Sequence, residues 1–349
     1  MGINIEIFNA IKGVLEDYGC SGDRIKRFLT ERRGFSKRQA DAISILEEIM
    51  MAHGKQELRG HVNELARVEH GIRELEPRAR DHVVHALLSF LLGIYINEKF
   101  MIPLGHGVDK FQWKLAGLFH DVGYPAETAR GILHQFTAQI NQIKHNIGST
   151  APDVFFRLTP VGIDQLTNGS SSLHLIQQQL DRWGLAVDVN LEYRDMIDSG
   201  RMCHGIMSSL SVLYVIDLKY QQYNPHREHQ PIYDPSGISW DQSYFENDVV
   251  PACSAIFVHN LQSRCFNNVA MSKQRAPLAF LLRLSDCLQD WNRPSAEKPR
   301  GISQCKYTID ITTNGRIVFT VDDAARRQKI MEDLEASLDI SDIEVRCPL

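Results

Sequence analysis

Histidine and aspartate recur inside apolar stretches of this chain. His82 and His85 stand in Asp81-His-Val-Val-His85, just before a largely apolar run that contains Ser89, Gly93 and Tyr95. His120-Asp121 ends the run Leu115-Ala-Gly-Leu-Phe119. His204 lies in Cys203-His-Gly-Ile-Met-Ser208, and His259 in Ile256-Phe-Val-His-Asn260. Asp286 closes Pro277-Leu-Ala-Phe-Leu-Leu-Arg-Leu-Ser-Asp286. A buried imidazole or carboxylate is costly unless it is paired or bound to a metal. One such place would mean little; five, between residues 82 and 286, imply a shared centre. Histidine is also frequent, at 14 of 349 residues.

Imidazole with carboxylate is a donor set for one or two divalent transition metals, Mn, Fe, Zn, Ni or Co. A site for Mg alone would carry fewer imidazoles, although Mg could share a second position. The chemistry this allows is hydrolysis by metal-activated water.

Helices must position these residues, and the patterning calls for them. Residues 1–75 read as helical and polar, with Ile43, Ile45, Leu46, Ile49 and Met50 at helical spacing. They carry a basic cluster of Arg24, Lys26, Arg27, Arg32, Arg33, Lys37 and Arg38, which reads as a solvated face or a phosphate-contacting one. Residues 76–298 read as one helical unit, with helices expected over 80–96, 111–122, 202–218, 249–262 and 276–291. The 111–122 helix should end at Gly123 and Pro125. Two polar stretches, 159–172 and 221–247, are long enough to serve as lids or binding segments. In residues 299–349 the pattern changes. Tyr307, Ile309 and Ile311 alternate as in a strand, Asn314-Gly315 signals a hairpin, and residues 316–321 supply the return strand. A helix capped by Asp322 and a last strand around Ile343 and Val345 should follow. The fold class is therefore mainly α, with a small C-terminal α+β appendage.

Composition excludes several classes. Hydrophobic residues make up 43% and charged residues 23%, which argues against a disordered chain or a fibre. The net charge of -5 provides no general basic field for nucleic acid or membrane. The apolar run 86–96 is too short to span a bilayer, which needs about 20 residues, and reads as a core helix. The seven cysteines are odd in number and form no Cys-x-x-Cys pair. With no secretory layout at the N-terminus, a reducing cytoplasm is expected.

The order His … His-Asp … His … His … Asp resembles the HD superfamily of metal-dependent phosphohydrolases. The resemblance covers about residues 78–297 and implies an HD-type helical bundle. By it, His85, His120, Asp121 and Asp286 match the core metal ligands, with Asp121 the bridge if two ions bind. His204 and His259 match the extra histidines of binuclear branches. His82, one turn before His85, becomes the general acid. Lys114, Arg201 and Arg283 become the cations for developing phosphate charge. The implied substrate is a nucleotide, hydrolysed by a dNTP triphosphohydrolase or a nucleotide phosphodiesterase. A nucleotide effector and a homo-oligomer are implied as partners. The alternatives are a di-iron HD oxygenase and a non-catalytic nucleotide-sensing scaffold. The chain departs from two subfamily patterns: Val-Gly-Tyr-Pro-Ala-Glu follows Asp121, neither the Ile-Gly-Lys of HD-GYP proteins nor the Gly-His-x-Pro-Phe of many dNTP triphosphohydrolases. The latter family's catalytic histidine would have to be replaced by His134 or His145. His226 and His229 read as solvated loop, and His53, His61 and His70 as facing solvent.

Overall fold

A computed structural model describes residues 3–31, 34–75, 81–146, 150, 152–155, 159–266, 269–291 and 305–348. The expected boundaries at 75/76 and 298/299 touch residues outside this set, as do Arg32, Arg33 and Arg80. The fold is mainly α with a small C-terminal α+β part. The helices are α1 (Ile3–Ile11), α2 (Gly22–Thr30), α3 (Phe35–Ala52), α4 (Arg59–Leu75), α5 (His82–Ile96), α6 (Lys110–Phe119) and α7 (Tyr124–Asn146). They continue with α8 (Ser172–Arg182), α9 (Val189–Ser199), α10 (His204–Tyr223), α11 (Gln242–Tyr244), α12 (Val250–Val258), α13 (Pro277–Leu288) and α14 (Ala324–Glu335).

The centre of the bundle is α5, α6, α12 and α13. Helix α5 packs on α6 and α13, and α12 packs on α6, α13, α8 and α10. Every residue of α5 is buried, because it is apolar on all sides and α1, α3 and α4 cover its outer face. The helical run His82–Met101 is long and apolar enough to cross a membrane, but 89% of it is buried inside the fold. One apolar core runs from Ile3 to Val345.

Helix starts follow local chemistry. Asp109 accepts hydrogen bonds from the backbone N–H groups of Phe111 and Gln112 at the head of α6. Asp81 accepts from Val84 at the head of α5. Pro251 and Pro277 lie in the first turns of α12 and α13, where a missing N–H costs nothing.

Several sequence expectations need correction, among them the ends of α12 at Val258 and α13 at Leu288, expected at 262 and 291. Helix α6 stops at Phe119, three residues early, and Pro125 does not end it but sits in the first turn of α7. Helix α10 runs on to Tyr223. The cap of α14 is Asp323, which accepts from Arg326 N–H, while Asp322 accepts from Lys306 N–H. Both polar stretches are tied to α10: Asp217 accepts from Thr167 N–H in the first and pairs with Arg227 in the second. Asp217 lies 13 positions along α10 from His204, about 20 Å at 1.5 Å per residue.

The appendage is a three-stranded sheet. β1 (Tyr307–Ile311) pairs antiparallel with β2 (Ile317–Val321), with Ile309 opposite Phe319. β3 (Ile343–Arg346) pairs parallel with β2. Helix α14 bridges the sheet to α13.

Candidate metal centre

The site forms where three helix ends and two helix interiors meet. His120 is the residue after α6, and Asp121 lies in the short turn before α7. His204 begins α10, and His259 follows α12. His85 lies in α5 and Asp286 in α13, which pack on each other. Glycine permits the closest approaches. A Cβ on Gly123 would stand 2.5 Å from His204 O and Ser208 N, and one on Gly205 would stand 3.1 Å from the His259 ring.

Asp121 is the hub. Its Oδ2 lies 3.9 Å from His85 Nε2 and 3.7 Å from His120 Nε2. Its Oδ1 lies 3.4 Å from His204 Nε2 and 3.8 Å from His259 Nε2. Asp286 Oδ1 approaches His85 Nε2 to 2.8 Å. Potential ligand atoms of His85, His120 and Asp121 all lie within 4.8 Å of one another, as do those of Asp121, His204 and His259. The chain thus brings together all six residues that the resemblance marks as ligands.

The four imidazoles share an orientation. Each Nδ1 faces an oxygen: Gln289 Oε1 for His85, Gly117 O at 3.1 Å for His120, Glu127 Oε2 at 2.6 Å for His204, and Ile256 O at 2.7 Å for His259. An Nδ1 facing an acceptor carries the proton, which leaves the Nε2 lone pair toward Asp121. Among the described residues, Nε2 of His120 and of His259 is buried with no hydrogen-bond partner. Orphaned buried acceptors cost free energy unless something binds them. His85 Nε2 and Asp286 Oδ1, both acceptors in this tautomer, stand at hydrogen-bond distance and repel unless a cation joins them. Buried imidazole lone pairs and two carboxylates suit a divalent metal, so these groups could hold one.

The carboxylates and imidazoles shift one another. Burial pushes the Asp121 carboxyl up, but the surrounding imidazoles, His120 first and then His82, outweigh it. Asp121 is held well below the usual carboxylate range. Asp286 is likewise depressed: burial is outweighed by His85, then by His120 and His259. Burial lowers His259, while at His204 the Glu127 and Asp121 carboxylates overcome burial and raise it.

The other proposed residues divide. His82 is buried, its Nδ1 2.8 Å from Asp121 Oδ2, with its ring 3.7 Å from that of Tyr124. Arg201 lines a cleft of about 490 Å³ whose wall includes Glu127, Cys203 and Asn260, beside His204. Lys114 does not serve the centre. Its ammonium contacts His53 and lies 3.3 Å from Asp17 O. It points toward the N-terminal helices because it stands six positions before His120, more than a turn and a half of helix. Arg283 sits at the edge of the centre, 4.0 Å from Asp286, with its donors engaged by protein oxygens. It donates to His259 O at 2.6 Å, to Asp333 O at 3.2 Å and to Ser337 Oγ at 3.2 Å. His134 and His145 are exposed on α7, as His226 and His229 are in their loop. Of the histidines expected in solvent, His70 is exposed, but His53 and His61 are half-buried.

Sequence reasoning did not single out Glu127, Asn260, Gln289 or Glu69. Glu69 accepts from the N–H groups of His82 and Val83 and so steadies the head of α5. Asn260 lies 3.1 Å from His204 Nδ1. One signal for it was available: Asn260 follows His259 as Asp121 follows His120. The chain matches no family model, no curated protein and no solved structure.

Proposed function

We propose that this chain is a metal-dependent hydrolase of the HD type, acting on a phosphoester or phosphoanhydride of a nucleotide. One observation carries the reading: the two oxygens of a single buried carboxylate, Asp121, face two separate pairs of histidine Nε2 atoms. His85, His120, Asp121 and Asp286 would hold one ion; Asp121, His204 and His259 would hold another. Bound there, divalent ions supply Lewis acidity to a phosphoryl oxygen and lower the pKa of water toward about 7. The chain's own contributions are distinct. Asp121 keeps the two halves at a common centre. The Nδ1 acceptors fix the imidazole tautomers. Arg201 offers a guanidinium in the cleft for an anionic group. His82, held against Asp121, is the proton donor to the leaving oxygen in this reading.

The test is metal content by plasma mass spectrometry, with Asp121→Ala alongside, followed by phosphate release from a panel of dNTPs, cyclic nucleotides and dinucleotides. About two equivalents in the native chain, none in the variant, and metal-dependent phosphate release would support the proposal. Native chain without metal after reloading would sink it.

A second reading has its own support. The cleft carries Glu127, Glu192, Asp195 and Asp198 against Arg201 and Arg264, and Lys114 and Arg283 have their donors engaged by other protein groups. That charge balance favours a substrate less anionic than a triphosphate, as for a di-iron HD oxygenase. Oxygen consumption by the iron-loaded protein, with no phosphate product, would select it.

A further inference from the structure

We infer that Glu127 is the positioning residue that makes His204 a metal ligand, so that the second half of the centre depends on a carboxylate supplied by α7. This rests on the two-ion reading above.

The two halves are built differently. The first half has four protein donors: His85, His120, Asp121 and Asp286. The second has three: Asp121, His204 and His259. Three of the four histidines are oriented by neutral oxygens, from Gln289, Gly117 and Ile256. His204 alone is oriented by a charged group, with Nδ1 2.6 Å from Glu127 Oε2. The same carboxylate oxygen accepts from His204 N–H at 3.2 Å, so it holds the backbone and the ring of one residue. The N-cap of α10, Cys203, makes no side-chain cap of its own, and Glu127 takes that place from another helix.

The local fold explains how Glu127 reaches there. It lies in the first turn of α7, and Pro125 helps start that helix directly after the Asp121 turn. Gly123 lets the turn press against α10, with its N–H donating to Ser208 Oγ at 2.7 Å. Helix α7 therefore delivers Glu127 to the head of α10 within six residues of Asp121. His204 needs such support because its side chain keeps 16% exposure, whereas those of His85, His120 and His259 keep 3% or less. Packing on all sides reinforces the hydrogen bonds of the buried rings; a ring beside the cleft relies more on its bonding. A carboxylate partner also makes the imidazole a stronger donor than a carbonyl partner does, and loss of such outer partners weakens metal affinity by about 10- to 100-fold.

The experiment is stepwise Mn²⁺ binding by calorimetry, with metal per chain by plasma mass spectrometry after dialysis, on native protein, Glu127→Gln and Glu127→Ala. The first equivalent should bind all three with the same affinity. The second should bind Glu127→Ala about 10- to 100-fold more weakly than native protein, with Glu127→Gln in between because its amide oxygen still accepts from Nδ1. Selective loss of the second ion with the first retained is a result that general unfolding would not produce. If both variants bind the second equivalent as native protein does, or lose both ions equally while circular dichroism shows them folded, the inference fails and the two-ion reading stands. If native protein takes up no second equivalent, both fail together.

Discussion

His120 and His259 stand in equivalent positions on two different helices. Each follows the last residue of its helix, each directs Nδ1 at the carbonyl three residues earlier, and their rings lie 5.2 Å apart at 85°. Among the described residues each leaves a buried Nε2 without a hydrogen-bond partner, and the two face opposite oxygens of Asp121. The helix end explains the match. There the i−3 carbonyl is no longer fully used within the helix and is free to orient a ring.

This equivalence predicts separable losses. His120→Ala should remove the ion of the first half and His259→Ala that of the second, so each variant retains roughly one equivalent of two. Stepwise Mn²⁺ calorimetry distinguishes them. Loss of all metal in both variants would show that the halves do not bind independently.

Arg283 joins the centre to the appendage. It donates to the carbonyls of His259 and Asp333 and to Ser337, and lies 4.0 Å from Asp286. Replacing it by Met keeps the alkyl stem but leaves these acceptors without their donor. Charge-assisted hydrogen bonds contribute about 1.5–3 kcal/mol each, so Arg283→Met should lower unfolding free energy by about 3 kcal/mol. Urea denaturation measures it; a change below about 0.5 kcal/mol, within the range of an ordinary surface substitution, would show the clamp to be incidental.

Acid stability should depend on His53. Burial first, and then the Lys114 charge, lower its pKa from 6.5 to about 4. Burial likewise lowers Lys114 to about 8. For His53 the unfolded chain takes up the proton near pH 6.5, and the folded chain only near pH 4. Between these values the unfolded state holds more protons, so stability falls as pH falls. Because the ring is only half-buried, the loss should be on the order of 1 kcal/mol rather than the full shift. His53→Gln should flatten the stability profile between pH 6.5 and 4.5. Equal slopes in the two proteins would refute this.

Much of the site was legible in the sequence because a polar ligand in an apolar helix stands out locally. His85, His120-Asp121, His204, His259 and Asp286 each break a hydrophobic run. Glu127 and Gln289 do not stand out, because an acid or amide near a helix end is ordinary. Lys114 misled for the same reason in reverse: nearness in sequence to a ligand says nothing about which face of the helix a long side chain takes.

The sequence by itself determined the mainly helical class, the β-hairpin at Asn314-Gly315 and the residue types of the centre. Periodicity, turn chemistry and desolvation cost are local properties that a linear chain displays. Only the tertiary structure decided that Asp121 divides its two oxygens between His85 and His120 on one side and His204 and His259 on the other. It also decided that Pro125 begins a helix rather than ending one, and that this helix carries Glu127 to His204. The physical reason is that distances of a few ångströms between residues some 200 positions apart, 201 for His85 and Asp286, are set by how helices pack. No local pattern in the sequence records that packing.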